Sequence, residues 1–275
     1  MNPASAAPGT IRTVGLERPL RWLVQGWHDS RRCGGVSFAH GLALTLFGQL
    51  LLLVAHHQFW LLAGAFSGLL VVGPVLATGL YALSRAVERG ETVSWRLVLQ
   101  TWLSWRRHGS SPDGKDWRLV RFGLLLGLAG TGWVLTSAAL ITLLSPVPIE
   151  QPMDFLRHVV LARDHWLFEL WLALGGLMVA PIFASSAVAL PLLLDRRVSV
   201  LQAVITSWEA VLRNPGPLAL WAALIMGLTL LGLLTALLGL IVVMPVLGHA
   251  SWHAYRELVD ASAWPERSAA EPGRP

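Results

Sequence analysis

The chain has 275 residues, of which 54% are hydrophobic and only 13% are charged, and its mean hydropathy is +0.57. Soluble domains carry close to a quarter of charged residues, so the composition excludes an ordinary soluble protein and indicates an integral membrane protein. The formal net charge is +5. We expect its acidic partners to be the anionic lipid head groups of the bilayer rather than nucleic acid, because no groove-reading motif is present.

The chain divides into a membrane domain and two polar ends. Residues 1–15 contain no apolar signal-peptide segment, and they are predicted to be disordered, as is the tail 259–275. Between them, residues 16–258 form the membrane domain. A helix needs about 20 apolar residues to cross the hydrocarbon, so the uncharged segments predict six spans, the last two from one long run. The uncharged segments are 38–55, 59–83, 122–144, 170–194 and 214–255.

Basic residues predict the orientation of these spans. Of the 21 Lys and Arg residues, only Arg157 and Arg163 lie in the loop between the third and fourth spans, and the others lie on the opposite side of the predicted spans. Positive charge is held on the cytoplasmic side of a membrane. We therefore expect both termini to be cytoplasmic, and the protein to be a multi-pass protein of the bacterial inner membrane.

A proline-containing segment occurs twice in nearly the same form. Residues 68–85 and 239–256 align without gaps with eight identities in eighteen positions, including Pro74 with Pro245. A weaker copy surrounds Pro191 in the fourth span. Proline removes one helical hydrogen bond and displaces the carbonyl four residues earlier, so we expect a kink at each of the three prolines. The kinks are predicted to lie at one depth and to face the protein interior.

A second repeat precedes each pair of spans. Apolar residues recur at i, i+3, i+4 and i+7 and end at Trp27, Trp102 and Trp208, with polar residues on the other helix face. This spacing predicts three short amphipathic helices that lie in the membrane interface, with the tryptophans as anchors. Packing of these tryptophans on neighbouring spans is the alternative.

Together the two repeats predict three copies of one unit, an interfacial helix followed by a helical hairpin. The copies cover about residues 16–92, 93–197 and 198–258. Each begins and ends in the cytoplasm, so the repeats are parallel. The fold class is all-α, a polytopic membrane protein with six transmembrane helices.

Several of these segments resemble one known family. The sequences PLRWLVQGWHDS, VGPVLATGLYALSRAVERGE, LPLLLDRRV, NPGPLALWAALI and VMPVLGHASWHAYREL resemble, in this order, the bacterial integral membrane family called domain of unknown function 2189. The resemblance covers roughly residues 16 to 258. It implies a six-span inner-membrane protein, and it transfers no catalytic residue.

Three histidines form a candidate metal site. His249 and His253 lie four residues apart on one helix face, a spacing that can chelate a metal, and His40 is a possible third ligand. No carboxylate or cysteine ligand accompanies them in the motif. The alternatives are interfacial histidines bound by backbone, lipid or water, or a haem site.

The sequence predicts no enzyme and no cofactor. It contains no nucleophile elbow, phosphate loop, HExxH or paired-carboxylate motif. The leading functional hypothesis is a non-catalytic scaffold or accessory protein that binds lipid or another membrane protein complex. A transporter or channel for small solutes or lipid is the first alternative, and a metal- or haem-binding membrane protein is the second.

Overall fold

The computed structural model describes residues 10–55, 76–103, 117–162 and 166–267. Of these residues 79% are helical, so the all-α class is confirmed. The helices are α1 (Arg18–Cys33), α2 (Gly35–Ala55), α3 (76–89), α4 (Trp95–Trp102), α5 (Arg118–Leu144), α6 (Pro152–Phe155) with a π-helical turn (Leu156–Val160), α7 (Leu167–Ser186), α8 (Ala189–Asp195), α9 (Val200–Arg213), α10 (Pro215–Leu234) and α11 (Leu240–Leu258). Two short strands, β1 (Thr10–Ile11) and β2 (Val259–Asp260), pair in antiparallel fashion.

Four helical segments in the described ranges are long and apolar enough to cross a membrane. They are Gly35–Val54, Arg118–Leu144, Leu167–Asp195 and Pro215–Leu234. The expected second span lies mostly outside the described residues, and only its end appears as part of α3. The expected sixth span corresponds to α11, whose second half carries polar and charged residues that lower its hydropathy. Six spans therefore remain a prediction.

The helix α11 is the centre of the fold. It packs along α1 and α2 and also contacts α8 and α10. Gly26 of α1 lies so close to α11 that a Cβ at this position would be 2.5 Å from the carbonyl oxygen of Val246. Gly41 of α2 has the same role, because its Cβ would be 2.5 Å from the carbonyl oxygen of Ile241. Small residues at both contacts let the backbones approach closely, as is common between membrane helices.

Polar side chains of α2 hold the turn between α10 and α11. Ala236 and Leu237 adopt positive φ values of 52° and 68°, which are unfavourable for residues with a side chain. Thr45 donates a hydrogen bond to the carbonyl oxygen of Leu237 at 3.0 Å, and Gln49 donates one to that of Ala236. These side-chain bonds add to the backbone hydrogen bonds of the turn, in which the carbonyl oxygen of Leu237 also accepts from the N–H of Leu240 at 3.0 Å.

Two of the three proline sites lie within the described residues. Pro245 lies inside α11, and the carbonyl oxygen of Ile241, which Pro245 leaves without its helical partner, lies against Gly41 of α2. Near Pro191 the chain breaks between α7 and α8, where the backbone N–H of Val188 donates to Ser207 Oγ at 3.2 Å. Pro74 lies outside the described residues. The common depth of the three prolines stays a prediction.

From residue 10 onward the N-terminal segment is ordered, although the sequence predicts disorder up to residue 15. Thr10 and Ile11 pair with β2 near the other end of the chain. Asn214 then fixes the following residues, because its side chain accepts from the backbone N–H of Val14 at 2.8 Å and donates to the carbonyl oxygen of Arg12 at 3.0 Å. These contacts join positions about 200 residues apart, so local composition could not predict them.

The C-terminal segment is also ordered where disorder is expected. Up to residue 267 it packs on the membrane domain, and Trp264 is buried there. The backbone N–H of Arg197 donates to the carbonyl oxygen of Pro265 at 3.0 Å, and that of Arg267 donates to the carbonyl oxygen of Asp195 at 2.8 Å. A buried tryptophan and paired backbone groups stabilise this segment. Residues 1–9 and 268–275 lie outside the described ranges.

Candidate functional site

Five polar side chains meet where α1, α2, α3 and α11 pack together. They are Asp29, Ser37, Ser84, His249 and His253, and we call them the buried histidine network. Ser37, Ser84 and His249 are almost fully buried, and Asp29 is only 6% exposed. Buried polar groups are costly unless they are hydrogen-bonded, so the connections within the network decide whether it stabilises the fold.

Hydrogen bonds connect the members of the network in one continuous series. Ser84 donates to Asp29 Oδ2 at 2.7 Å, and Ser84 Oγ lies 2.7 Å from His249 Nδ1. His249 Nε2 lies 2.7 Å from Ser37 Oγ. Since the Ser84 hydroxyl has one proton and donates it to Asp29, it accepts from His249 Nδ1–H. In a neutral imidazole Nε2 then accepts from the Ser37 hydroxyl, so both ring nitrogens are satisfied.

Asp29 is the charged end of the network. His253 Nε2 lies 2.8 Å from Asp29 Oδ2, the same oxygen that accepts from Ser84. Burial raises the pKa of Asp29, but the hydrogen bonds from His253 and Ser84 outweigh this effect and hold the pKa below its ordinary value. The ionised carboxylate therefore stabilises the folded state above the ordinary aspartate pKa, and this stabilisation is lost as the pH falls through the lowered value.

The structure brings His249 and His253 to one side of α11 but does not arrange the three histidines as metal ligands. Both ring nitrogens of His249 and the Nε2 atom of His253 are engaged in hydrogen bonds. Among the described residues, no group of three or more His, Cys, Asp or Glu side chains is placed to hold a metal ion. The partners of His249 and His253 are side chains of α1, α2 and α3. The metal site formed by His249, His253 and His40 stays a prediction.

His40 lies in a separate aromatic environment. Its Nδ1 atom lies 2.9 Å from the carbonyl oxygen of Val36, and its ring stacks on Trp95 at a centroid distance of 5.6 Å. Trp102 contacts the same ring edge-on, also at 5.6 Å. Gly79 of α3 lies against both His40 Nε2 and Trp102 Nε1, which have no hydrogen-bond partner within the described part of the chain.

A second polar cluster surrounds Asp195 at the end of α8. Asp195 forms an ion pair with its neighbour in the sequence, with Arg196 Nε 3.0 Å from Asp195 Oδ2. Tyr255 of α11 donates to the same carboxylate oxygen at 2.9 Å, and Arg89 of α3 lies 3.6 Å from the other one. Glu266 binds Arg89 at 3.0 Å and joins the C-terminal segment to the cluster. The nearly buried Asp195 thus connects α3, α8 and α11, which indicates a structural role.

The amphipathic helices α1, α4 and α9 present large apolar side chains outward. These residues are more than a third exposed: Leu20, Val24, Trp27, Trp95, Leu99, Leu201, Ile205 and Trp208. The faces that pack against the protein carry several small and polar residues, together with the large side chains of Trp22 and Val98: Gly26, Asp29, Ser30, Thr101, Ala203, Thr206 and Ser207 are buried. A water-soluble protein rarely exposes stripes of large apolar side chains on three helices.

The three tryptophans at the ends of these stripes lie in different surroundings. Trp27 and Trp208 are each a little more than a third exposed, and Trp208 donates to Ser185 Oγ of α7 at 3.0 Å. Trp102 packs on His40 with its Nε1 atom buried. Val98 of the same stripe is fully buried as well. In α4 the stripe therefore has an outward half, Trp95 and Leu99, and an inward half, Val98 and Trp102.

Comparison with known proteins gives one family match, in the middle of the chain. The family model described as "Predicted integral membrane protein (DUF2189)" matches residues 61–195. This confirms the resemblance to that family over the matched residues, and the family is described as one of integral membrane proteins without a defined function. No curated protein and no solved structure matches the chain.

Proposed function

We propose that the protein is a non-catalytic scaffold or accessory protein of the bacterial inner membrane, which binds lipid or another membrane protein complex. The observation that carries the proposal is the outward apolar stripe on α1, α4 and α9, on helices whose packed faces carry several small and polar residues. A helix of this kind is suited to the boundary between head groups and acyl chains. The two polar clusters fix how the helices are held together and leave the stripes free to meet the membrane.

The energetics of the stripes favour a lipid environment. Leu201, Ile205 and Leu212 of α9 are 68%, 56% and 71% exposed. Removing a side chain of this size from water contributes roughly 1.5 to 3 kcal/mol, so several such residues on one helix would strongly favour membrane insertion. Lipid surrounds a membrane protein on all sides at the depth of the bilayer, so it can cover all three helices without requiring a partner for each.

The proposal includes the full topology. It has six spans in three parallel units, each formed by one amphipathic helix and one hairpin, with both termini in the cytoplasm. Support comes from the order of the elements: α1 precedes α2, α4 precedes α5, and α9 precedes α10, and each of the three long helices is a candidate span. The concentration of positive charge on one side supports the orientation.

Reporter fusions test this topology. We expect a reporter after Pro148 to be periplasmic and a reporter after Pro275 to be cytoplasmic, because an odd number of spans would separate them. Alkaline phosphatase and green fluorescent protein activities at each position measure the compartment. Activity in the same compartment at both positions would contradict the proposed topology.

Charge substitutions on the stripes test the interfacial placement. We expect Val24→Glu and Ile205→Glu to lower the amount of protein retained in membranes severalfold, because each places a carboxylate on a face that meets lipid. Gln25→Glu is the matched control, since Gln25 lies beside Val24 on α1 and is exposed as well. Membrane retention that is equal for Val24→Glu, Ile205→Glu and the control would contradict the placement of α1 and α9.

A further inference from the structure

The last turn of α1 forms a basic cleft that neither polar cluster uses. It has a volume of about 500 Å³ and is lined by His28, Arg31 and Arg32, which we call the α1 cleft. Within the ranges that the structure describes, Arg31 and Arg32 form no ion pair with a carboxylate. Two guanidinium groups without counter-charge in a concave site are complementary to phosphate, which arginine binds with paired hydrogen bonds.

The α1 cleft continues directly from the apolar stripe of the same helix. Leu20, Val24, Trp27 and Arg31 follow one another at spacings of four, three and four residues, so they share one helix face. The Arg31 guanidinium lies over the Trp27 ring, 5.9 Å from its centroid. A molecule in the cleft would therefore meet positive charge at one end and apolar surface at the other.

The position of the cleft relative to the membrane narrows the choice of ligand. α1 passes into the candidate span α2 through a single turn residue, Gly34, so the cleft lies beside the point where the chain enters the bilayer. A phospholipid has its phosphate at that level and its acyl chains below it. A free phosphate ion would use only the charged half of this surface.

At the corresponding end of α9 the arginine is already paired with a carboxylate. Its basic residue, Arg213, is bound by Glu209 at 2.6 Å. The surface depression there has a volume of about 480 Å³ and includes Val204, Ile205, Trp208 and Leu212 beside this ion pair. An arginine already paired with a carboxylate attracts phosphate less strongly, so α9 provides an internal comparison for α1.

We propose that the α1 cleft binds the phosphate of one anionic phospholipid, with Arg31 and Arg32 binding the phosphate and the stripe from Leu20 to Trp27 contacting its acyl chains. His28 also lines the site. The proposal rests on the proposed function, because a lipid reaches the cleft only if α1 lies in the membrane interface.

Lipid titration of the purified full-length protein in detergent tests the site, with native mass spectrometry as the readout. We expect phosphatidylglycerol to bind more tightly than phosphatidylcholine. The double variant Arg31→Gln/Arg32→Gln should lower the phosphatidylglycerol affinity about tenfold or more. It should lower the phosphatidylcholine affinity less, because the choline cation of that lipid offsets the charge of its phosphate. Arg213→Gln is the matched control and should behave as wild type.

Three outcomes would overturn the proposal. One is equal binding of the two lipids by the wild type, and another is unchanged phosphatidylglycerol affinity in the double variant. Competition by millimolar glycerol 3-phosphate would assign the cleft to a soluble phosphate compound instead. The mass and thermal stability of each variant show that it is folded. If the double variant binds phosphatidylglycerol as the wild type does while the α1 stripe lies in lipid, the phospholipid site is wrong and the proposed function is unaffected. If the α1 stripe is exposed to water, both the phospholipid site and the proposed function are wrong.

Discussion

Replacing Gly26 with leucine is expected to prevent the protein from forming a stable fold. A Cβ at this position would lie 2.5 Å from the carbonyl oxygen of Val246 and 2.7 Å from the backbone nitrogen of Ala250. Both atoms belong to the backbone of α11, which cannot rotate away as a side chain can. Because α11 packs extensively on α1, the two helices would have to separate, and the cost would exceed the usual ~1 to 3 kcal/mol of overpacking.

The measurement is the thermal midpoint of the detergent-purified protein, together with its elution profile in size-exclusion chromatography. Gly26→Ala should give a smaller shift in the same direction. Gly227→Leu is the matched control, because Gly227 is also helical but a Cβ there meets no atom within 4 Å. A Gly26→Leu protein with the midpoint of the wild type would show that α1 and α11 are not packed as described.

Replacing Asp29 with alanine should have the second-largest effect. Ser84 and His253 would lose their acceptor, and the hydrogen bond between Ser84 and His249 would no longer have a fixed donor and acceptor. Breaking a buried, charged hydrogen-bond network costs about 2 to 4 kcal/mol, so the denaturation midpoint should fall clearly. Asp260→Ala is the control, because Asp260 and its partner Arg12 are exposed and their pair should contribute little.

A double-mutant cycle separates the network from a simple loss of charge. Asp29→Ala and Ser84→Ala should be strongly non-additive, with a coupling of about 1 kcal/mol or more, because each substitution removes the same hydrogen bond. Unfolding in denaturant, followed by the fluorescence of the buried tryptophans, gives the free energies. Additive effects would mean that Ser84 does not depend on Asp29 for its position.

The helices and their amphipathic faces could be predicted from local sequence. The stripes that include Val24 and Ile205 follow from helical periodicity, and both residues are exposed. The stripe of α4 could be predicted only in part. Val98 and Trp102 have the same spacing as their counterparts but pack inward, because α2 and α3 supply His40 and Gly79 beside them. Periodicity identifies a helix face, but it does not identify what lies opposite.

The buried histidine network could not be predicted from the histidines alone. His249 and His253 were visible as an i, i+4 pair, but their partners Asp29, Ser37 and Ser84 come from three other helices. One available signal was the inner face of α1. Its residues 22, 26, 29, 30 and 33 follow a helical spacing, and all of them are buried. A polar residue on the packed face of a membrane helix indicates a buried partner.

The pairing of the two ends of the chain had no local signal at all. Thr10–Ile11 and Val259–Asp260 are short and lie next to polar, proline-containing segments whose composition is typical of disorder. Their order depends on long-range contacts, such as the ion pair of Arg18 with Glu257 and the hydrogen bond from Trp22 Nε1 to the same carboxylate at 2.7 Å. Contacts of this range arise only once the helices are packed.

The most direct test of the central claim is the depth of the stripes in the membrane. Spin labels at single introduced cysteines, in a variant without the native cysteine and reconstituted in phosphatidylglycerol-containing bilayers, report their accessibility to oxygen and to a polar nickel reagent. We predict that labels at Val24, Leu99 and Ile205 are accessible to oxygen and protected from nickel, whereas labels at Gln25 and Arg96 show more nickel and less oxygen accessibility. Nickel accessibility at the three stripe positions equal to that at the two polar positions would contradict the interfacial placement of α1, α4 and α9.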